Sequence, residues 1–527
     1  MKIRSRMPGL AIVVAALATA VPATAGGSLI PVWTVVLVAA SVQFSRKLPV
    51  SLSISLATVG FLALELILLR ITPYLGWGIS LPNIIVWTAI SIGFGALETV
   101  RPMAATLFTW RRSWLGLAAS ASAIALIAVL SLAQLLRGSA SLYWSTNNDA
   151  VIGLRFARLM VSEGGLGINM GRQSTPLPFA MAAANMDSGR AGLSDSLMQE
   201  HDLVRIAQVW VFLIAIGCIL AGVTVARRLT AASQGWAIPV VALASSSMLA
   251  WFVIGVQFDF GFMNSAFAIA ALLAAWLIFD SAANHPLVAI AGLFTAALVA
   301  LGVWSPLIVC VIGLGVAVLV TGARAIRRAR RGGLVAAAVT GVVLLAYAVG
   351  VTLPQLFDAP TALGNNGGFP PIGPGSMLII TSLTVLAAAL ALRGETLRTG
   401  TGVAALVATF LAGLAYLLAQ RRGVDFIWGY YPAKFAWTVS VLLIVIIMSL
   451  AVHLIASASL TRSRRAIVTI AVGAVIASLL FGPVAVPNQA PLISILKTAV
   501  LGSPAPEQQE QPAESRGLRP AIAETIR

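Results

Sequence analysis

The chain has 527 residues, 59% hydrophobic and 10% charged, with a formal net charge of +17 and a mean hydropathy of +0.96. Soluble domains carry roughly 25% charged residues, so this composition excludes a soluble fold of this length and makes the bilayer the solvent for much of the chain. The positive charge is not a nucleic-acid signal, because the basic residues fall in short clusters between apolar runs, as in cytoplasmic membrane loops.

In chain order, apolar runs of membrane-crossing length cover 9–25, 28–45, 50–70, 79–97, 114–136, 205–226, 236–256 and 261–279. They continue through 286–303, 305–321, 333–353, 376–392, 401–419, 433–455 and 466–485. The pattern predicts an all-α polytopic membrane protein with about 13–15 transmembrane helices and a long outer loop carrying interfacial helices. Residues 1–136 are then N-terminal spans and 137–204 the outer loop with amphipathic helices. Residues 205–485 form a transmembrane core with outer loops near 257–262, 354–375 and 420–432, and 486–527 a polar tail expected to be disordered. The first 25 residues read either as a retained helix or as a signal peptide ending near Ala23-Thr24-Ala25.

Orientation follows from the basic residues. Lys2, Arg4 and Arg6 place the N-terminus in the cytoplasm. Alternation then puts Arg46-Lys47, Arg101, Arg111-Arg112, Arg227-Arg228, the run Arg324 to Arg331, Arg393, Arg398, Arg462 and Arg464-Arg465 inside. Most of the acids fall outside, with the 138–204 loop and the C-terminal tail. The chain is thus expected in the cell membrane as a multi-pass protein with membrane lipid as a partner and no nucleic acid. Cys218 and Cys310 both lie in apolar spans, which argues against a disulfide framework. His201, His285 and His453 show no metal-ligand spacing.

Ionisable residues inside spans are scarce, and a coupled transporter would need several. Glu65, in FLALELILLR, is the clearest; a helix–helix contact explains it more simply than a proton relay. Asp280 reads as a cytoplasmic helix end. The outer segments are richer. Thr146, Asn147, Asn148 and Asp149 can each cap a helix, and the next stretch is amphipathic, with Val151, Leu154, Ala157 and Met160 expected to face the membrane and Arg155 and Arg158 opposite. Gly164-Gly165 ends it. Asp149 is then either a plain cap or an acid at the membrane surface.

The segment QRRGVDFIWGYYPAKFAW holds Arg421, Arg422, Asp425, Trp428, Tyr430, Tyr431 and Lys434 at the start of a span. It reads equally as an interfacial aromatic belt with snorkelling cations or as a seat for an anionic lipid group, since Arg forks phosphate oxygens. The Gly-, Asn- and Pro-rich stretch 358–375 is a connector or a flap. Gln257, Asp259 and Asn264 surround a tight outer turn.

This layout resembles the GT-C superfamily of membrane glycosyltransferases. The residues carrying the resemblance are Asn148-Asp149 at the loop start and Tyr430-Tyr431-Pro432-Ala433-Lys434, the latter similar to outer segments of actinobacterial arabinofuranosyl- and mannosyl-transferases. The chain departs from that pattern in having one carboxylate where a pair is common, and in placing the long loop after the fifth span instead of the first. The resemblance implies an inverting glycosyltransferase that uses a polyprenyl-phosphate-linked sugar donor and a glycan, glycolipid or protein acceptor. Asp149 would be the base, Lys434, Arg421 and Arg422 would hold the donor phosphate, and Asn148, Asp259, Trp428, Tyr430 and Tyr431 would contact substrate. Asp259 is the candidate holder of a divalent metal, but a lipid-phosphate leaving group does not require one, so the cofactor stays open. A transporter or flippase, and a non-catalytic envelope-assembly subunit, remain the alternatives.

Overall fold

The computed structural model describes residues 2–100, 110–146, 149–166, 176–229, 237–327, 331–358, 373–391, 397–424 and 427–457. The predicted span 466–485, the tail, Asn148, Asp425 and most of the 358–375 stretch lie outside the described residues.

All described secondary structure is helical. The first five helices are α1 (Lys2–Thr24), α2 (Ile30–Ser45), α3 (Val50–Leu75), α4 (Ser80–Val100) and α5 (Trp110–Arg137). After a 3-10 turn at Gly138–Thr146 come α6 (Asp149–Glu163), α7 (Pro176–Asp187) and α8 (Asp195–Ala226). Then follow α9 (Ala237–Ser246), α10 (Val256–Phe260), α11 (Met263–Ser281), α12 (Pro286–Val303) and α13 (Ile308–Arg327). The last are α14 (Arg331–Tyr347), α15 (Leu353–Asp358), α16 (Pro374–Ala391), α17 (Leu397–Ala419) and α18 (Tyr430–Ser457).

Among the described residues eleven helical segments are long and apolar enough to cross a membrane, and three more apolar helices, at Pro8–Thr24, Ile30–Ser45 and Pro374–Leu390, are shorter. The chain is a multi-pass α-helical membrane protein. Burial separates its helices into two kinds. In α11, 94% of the apolar window is enclosed by protein, whereas in the segment Gly332–Leu356 only 6% is, so α11 is central and α14 peripheral, its leucines and valines left for lipid. Small residues let the helices close on one another, as expected where lipid offers no hydrophobic drive for association. Gly9 and Gly95 bring α1 against α4, Gly222 brings α8 against Ala119 of α5, and Gly402 seats α17 on the Phe279 ring.

The helix connections gather at two ends. At one, Asp187 Oδ2 accepts from the backbone N–H groups of Ile79 and Ser80 (3.1 and 2.8 Å), where α4 begins. At the same end Ser188 Oγ donates to the carbonyls of Ala23 and Gly27, and Asn185 Oδ1 accepts from Leu29 N. The positive-φ glycines Gly26 and Gly189 meet there backbone to backbone, at a spacing no Cβ would fit. At the opposite end Arg227 and Arg228 grip Asp280 at 2.6 and 2.7 Å, Arg46 pairs with Glu98, and Arg398 donates to Phe279 O. The basic pairs at Arg46 and Arg227-Arg228 thus share the end away from the long loop.

Three expectations change. The span expected over 236–256 is present at Ala237–Phe258, but its helix is not regular. A 3-10 turn at Ser247–Leu249, an extended Ala250 (ψ 150°) and a π-helical turn at Trp251–Gly255 separate α9 from α10. The break follows the run Ser245-Ser246-Ser247. Ser246 and Ser247 hydroxyls return to the carbonyls of Leu243 and Ala244, competing with the helix ladder, while Ser245 donates to Ala119 O. The Phe252 carbonyl at the break accepts from Trp437 Nε1 at 2.6 Å.

Second, α6 does not lay Leu154, Ala157 and Met160 on the membrane. All three are buried and Val151 is half-buried; Ile152, Arg155, Leu159 and Ser162 are the exposed positions. The partner is α7, whose PLPFAMAAANMD is almost wholly buried and takes the apolar face of α6, Gly153 lying against the Phe179 ring. Third, α8 begins at Asp195, ten residues before the predicted 205, with Ser194 in extended conformation at its N-cap. The long loop is shorter by those first turns.

Candidate functional site

Asp149 is the first residue of α6 and Tyr430 the first of α18. The Tyr430 hydroxyl donates to Asp149 Oδ2 at 2.7 Å. Lys434 stands one turn further along α18, on the same face, and its ammonium donates to the Tyr430 oxygen at 2.8 Å. The three side chains form one chain of hydrogen bonds: carboxylate, phenol, ammonium. A carboxylate in the first turn of a helix faces unpaired N–H groups, which favours its negative charge.

The ammonium is enclosed by rings. Lys434 Nζ lies 3.8 Å from the centre of Phe262, 4.9 Å from Tyr430 and 5.9 Å from Trp304. These are cation–π distances, and only 2% of Lys434 is exposed. Phe262 comes from the turn between α10 and α11, which Gly261 makes possible by adopting a left-handed φ of +71°. Trp304 occupies an extended residue between α12 and the 3-10 turn Ser305–Leu307. Tyr431 stacks on Trp304 and meets Tyr430 edge-on. Four segments far apart in sequence thus converge: the start of α6, the first turns of α18, and the turns before α11 and α13.

Of the residues singled out from sequence, Asp149, Tyr430, Tyr431 and Lys434 are brought together. Arg421 is fully buried and its Nε donates to the Ile427 carbonyl at 3.1 Å; its guanidinium lies against Gly429, closing the turn that precedes α18. Arg422 is exposed on that turn, and Trp428 is half-buried against the core. Asp259 lies on the short α10; its side chain is outside what the structure describes. Phe262 and Trp304 were missed, because an aromatic residue at the end of an apolar run is indistinguishable in sequence from core.

A second polar cluster also escaped the sequence reading. Asp202, wholly buried on α8, takes Arg158 Nε of α6 at 2.8 Å and Arg190 Nη2 at 3.3 Å, with His201 Nδ1 at 3.6 Å. Arg205 on the next turn donates to Gly26 O at 2.6 Å. Arg158 therefore points to an acid inside the protein, and the cluster fastens α6 and the α7–α8 turn to α8 and to the α1–α2 turn. Among the described residues, no three His, Cys, Asp or Glu side chains converge in a metal-binding group. Cys218 and Cys310 are buried free thiols.

The architecture defines a multi-pass helical membrane protein with a carboxylate–phenol–ammonium cluster where the long loop meets α18. No family model, no curated protein and no solved structure matches the chain.

Proposed function

We propose that the protein is an integral membrane glycosyltransferase of the GT-C kind, moving a sugar from a polyprenyl-phosphate donor to a cell-envelope acceptor at the outer face of the membrane. The observation that carries this reading is the Asp149–Tyr430–Lys434 chain. It places a base and a cation within one hydrogen-bonded unit at the loop end of the bundle, where a lipid-tailed substrate meets polar groups. In this reading the acceptor hydroxyl oxygen bonds to the anomeric carbon as the bond from that carbon to the phosphate oxygen breaks. The hydroxyl proton goes to Asp149, and the phosphate leaves with its charge met by Lys434. Tyr430 occupies both groups at rest. Its rotation frees the carboxylate for the acceptor and the ammonium for the phosphate together. Arg422, exposed on the preceding turn, adds a second cation for the donor phosphate.

The test is a deletion strain analysed for lipid-linked sugars and envelope glycans, then complemented with the wild-type chain or with Asp149→Asn. An accumulated donor lipid with a truncated glycan, restored by the first and not by the second, is expected. Unchanged lipids and glycans, or rescue by Asp149→Asn, overturns the reading.

A transporter or flippase is the second reading, and the interrupted span favours it. Broken helices at membrane depth line substrate paths in transporters. Beside this break lies a water-sized cavity of about 10 Å³, lined by Gly217, Met248, Val253, Gln257 and apolar neighbours. In that case the deletion strain holds the lipid-linked saccharide in the inner leaflet, out of reach of an impermeant sugar-oxidising label. A transferase mutant leaves it in the outer leaflet, within reach.

A further inference from the structure

Glu65 lies on α3 with none of its surface exposed, enclosed by protein and not by the bundle periphery. Its Oε2 accepts from Trp87 Nε1 of α4 at 2.7 Å. Trp87 Nε1 also reaches Asn83 Oδ1 at 3.1 Å, and Trp33 Nε1 of α2 donates to the same oxygen at 3.3 Å. The other carboxyl oxygen, Oε1, is buried with no hydrogen-bond partner.

Among the described residues no charged side chain is paired with this group. On the helices packed around α3, the charged side chains are engaged elsewhere. Arg46 holds Glu98, Arg70 reaches the Tyr347 hydroxyl, and Arg205 donates to Gly26 O and His201. Asp202 takes Arg158 and Arg190, Asp280 takes Arg227 and Arg228, and Asp187 accepts from the start of α4. Helix α12 carries no charged residue. A carboxylate in such a place would be an unpaired buried charge, which is far costlier than an unpaired buried hydroxyl.

Space decides what completes the site. Phe61 sits 4.9 Å from Trp87, 6.0 Å from Trp33 and 6.3 Å from Phe212, ring centre to ring centre. The rings pack on one another. A metal ion would need several oxygen ligands; the polar neighbours here are two indole N–H donors and the Asn83 amide, whose Oδ1 both indoles already reach. The one ligand needing neither a cavity nor further oxygens is a proton.

We propose that Glu65 is a proton-binding site inside the bundle, with the proton on Oε1 and Oε2 serving as the carbonyl oxygen that Trp87 holds. With no part of Glu65 exposed, exchange of that proton requires the helix packing around it to open. The site stands apart from the Asp149 cluster and does not rest on the glycosyl-transfer reading.

Infrared spectroscopy of the full-length protein in lipid at neutral pH tests this. Wild type is expected to show a protonated-acid carbonyl band that Glu65→Gln removes, and that shifts only slowly after transfer to D2O. Trp87→Phe, which deletes the hydrogen bond to Oε2, is expected to move the same band to higher frequency. Loss of carboxylate bands instead of an acid band in Glu65→Gln overturns the proposal. If that variant does not fold, an acid band unmoved by Trp87→Phe overturns it equally.

Discussion

The phenol of Tyr430 accepts from the ammonium of Lys434, one turn along α18, at 2.8 Å and donates to Asp149 Oδ2 at 2.7 Å, so one hydroxyl joins the two charged groups. Tyr430→Phe keeps the ring packing against Phe262 and Tyr431 but removes both hydrogen bonds. It leaves the buried Lys434 ammonium and the half-buried Asp149 carboxylate without that partner, at a cost of about 1–3 kcal/mol. A lowered melting temperature of the purified protein, with unchanged helical content, is the expected result.

Asp149→Asn is nearly isosteric and retains an oxygen for Tyr430. It is expected to insert and fold as wild type while losing about 10²–10⁴-fold in transfer, the range attributed to a general base. The measurement is sugar transfer in membranes from the complemented deletion strain. Near-normal transfer removes Asp149 from the chemistry.

Lys434→Met preserves length and apolar packing inside the Phe262, Tyr430 and Trp304 rings. It should leave the fold intact and weaken turnover about 10²–10³-fold, as for loss of one group stabilising a developing anion. A melting temperature that falls with turnover unchanged would make Lys434 structural.

Asp202→Asn leaves the guanidinium groups of Arg158 and Arg190 without their counter-charge. Removing one member of a buried ion pair costs about 3–5 kcal/mol. The loss here is expected toward the lower end, because the two arginine side chains keep 18% and 20% of their exposure. Proteolysis of the α6–α7 region should speed up in the variant, as its ties to α8 and to the α1–α2 turn loosen.

Leu197 is 54% exposed on the first turns of α8, and the native thiols Cys218 and Cys310 are buried. An impermeant thiol reagent added to intact cells should therefore label Leu197→Cys. Arg324→Cys, on the basic end of α13, should label only after permeabilisation. The reverse pattern would invert the orientation read from the basic loops.

How much of this was readable in advance depended on the length of each signal. The spans were legible because each is a run of about 20 apolar residues, a pattern with few rivals. Helix α7 was not: PLPFAMAAANMD is too short to cross a bilayer and opens with two prolines, so it reads as loop. Its burial in turn reversed the reading of Leu154, Ala157 and Met160, whose apolar stripe fits a membrane or a partner helix equally well. The break at Ala250 follows three serines, each unremarkable in a span on its own. At the site, Asp149 and the YYPAK segment stood out separately because charge is scarce nearby. Their contact, the bridging position of Tyr430 and the enclosure of Lys434 depend on turns before α11 and α13 that hold only apolar signals.

Asp149 and Tyr430 are 281 residues apart in the chain. During synthesis the carboxylate is made before every helix from α7 to α18. The bond between them can close only once the chain has reached α18. A chain stopped before α18 would own the acid, with α6 already seated on α7 and tied to α8, and lack the phenol that holds its carboxylate.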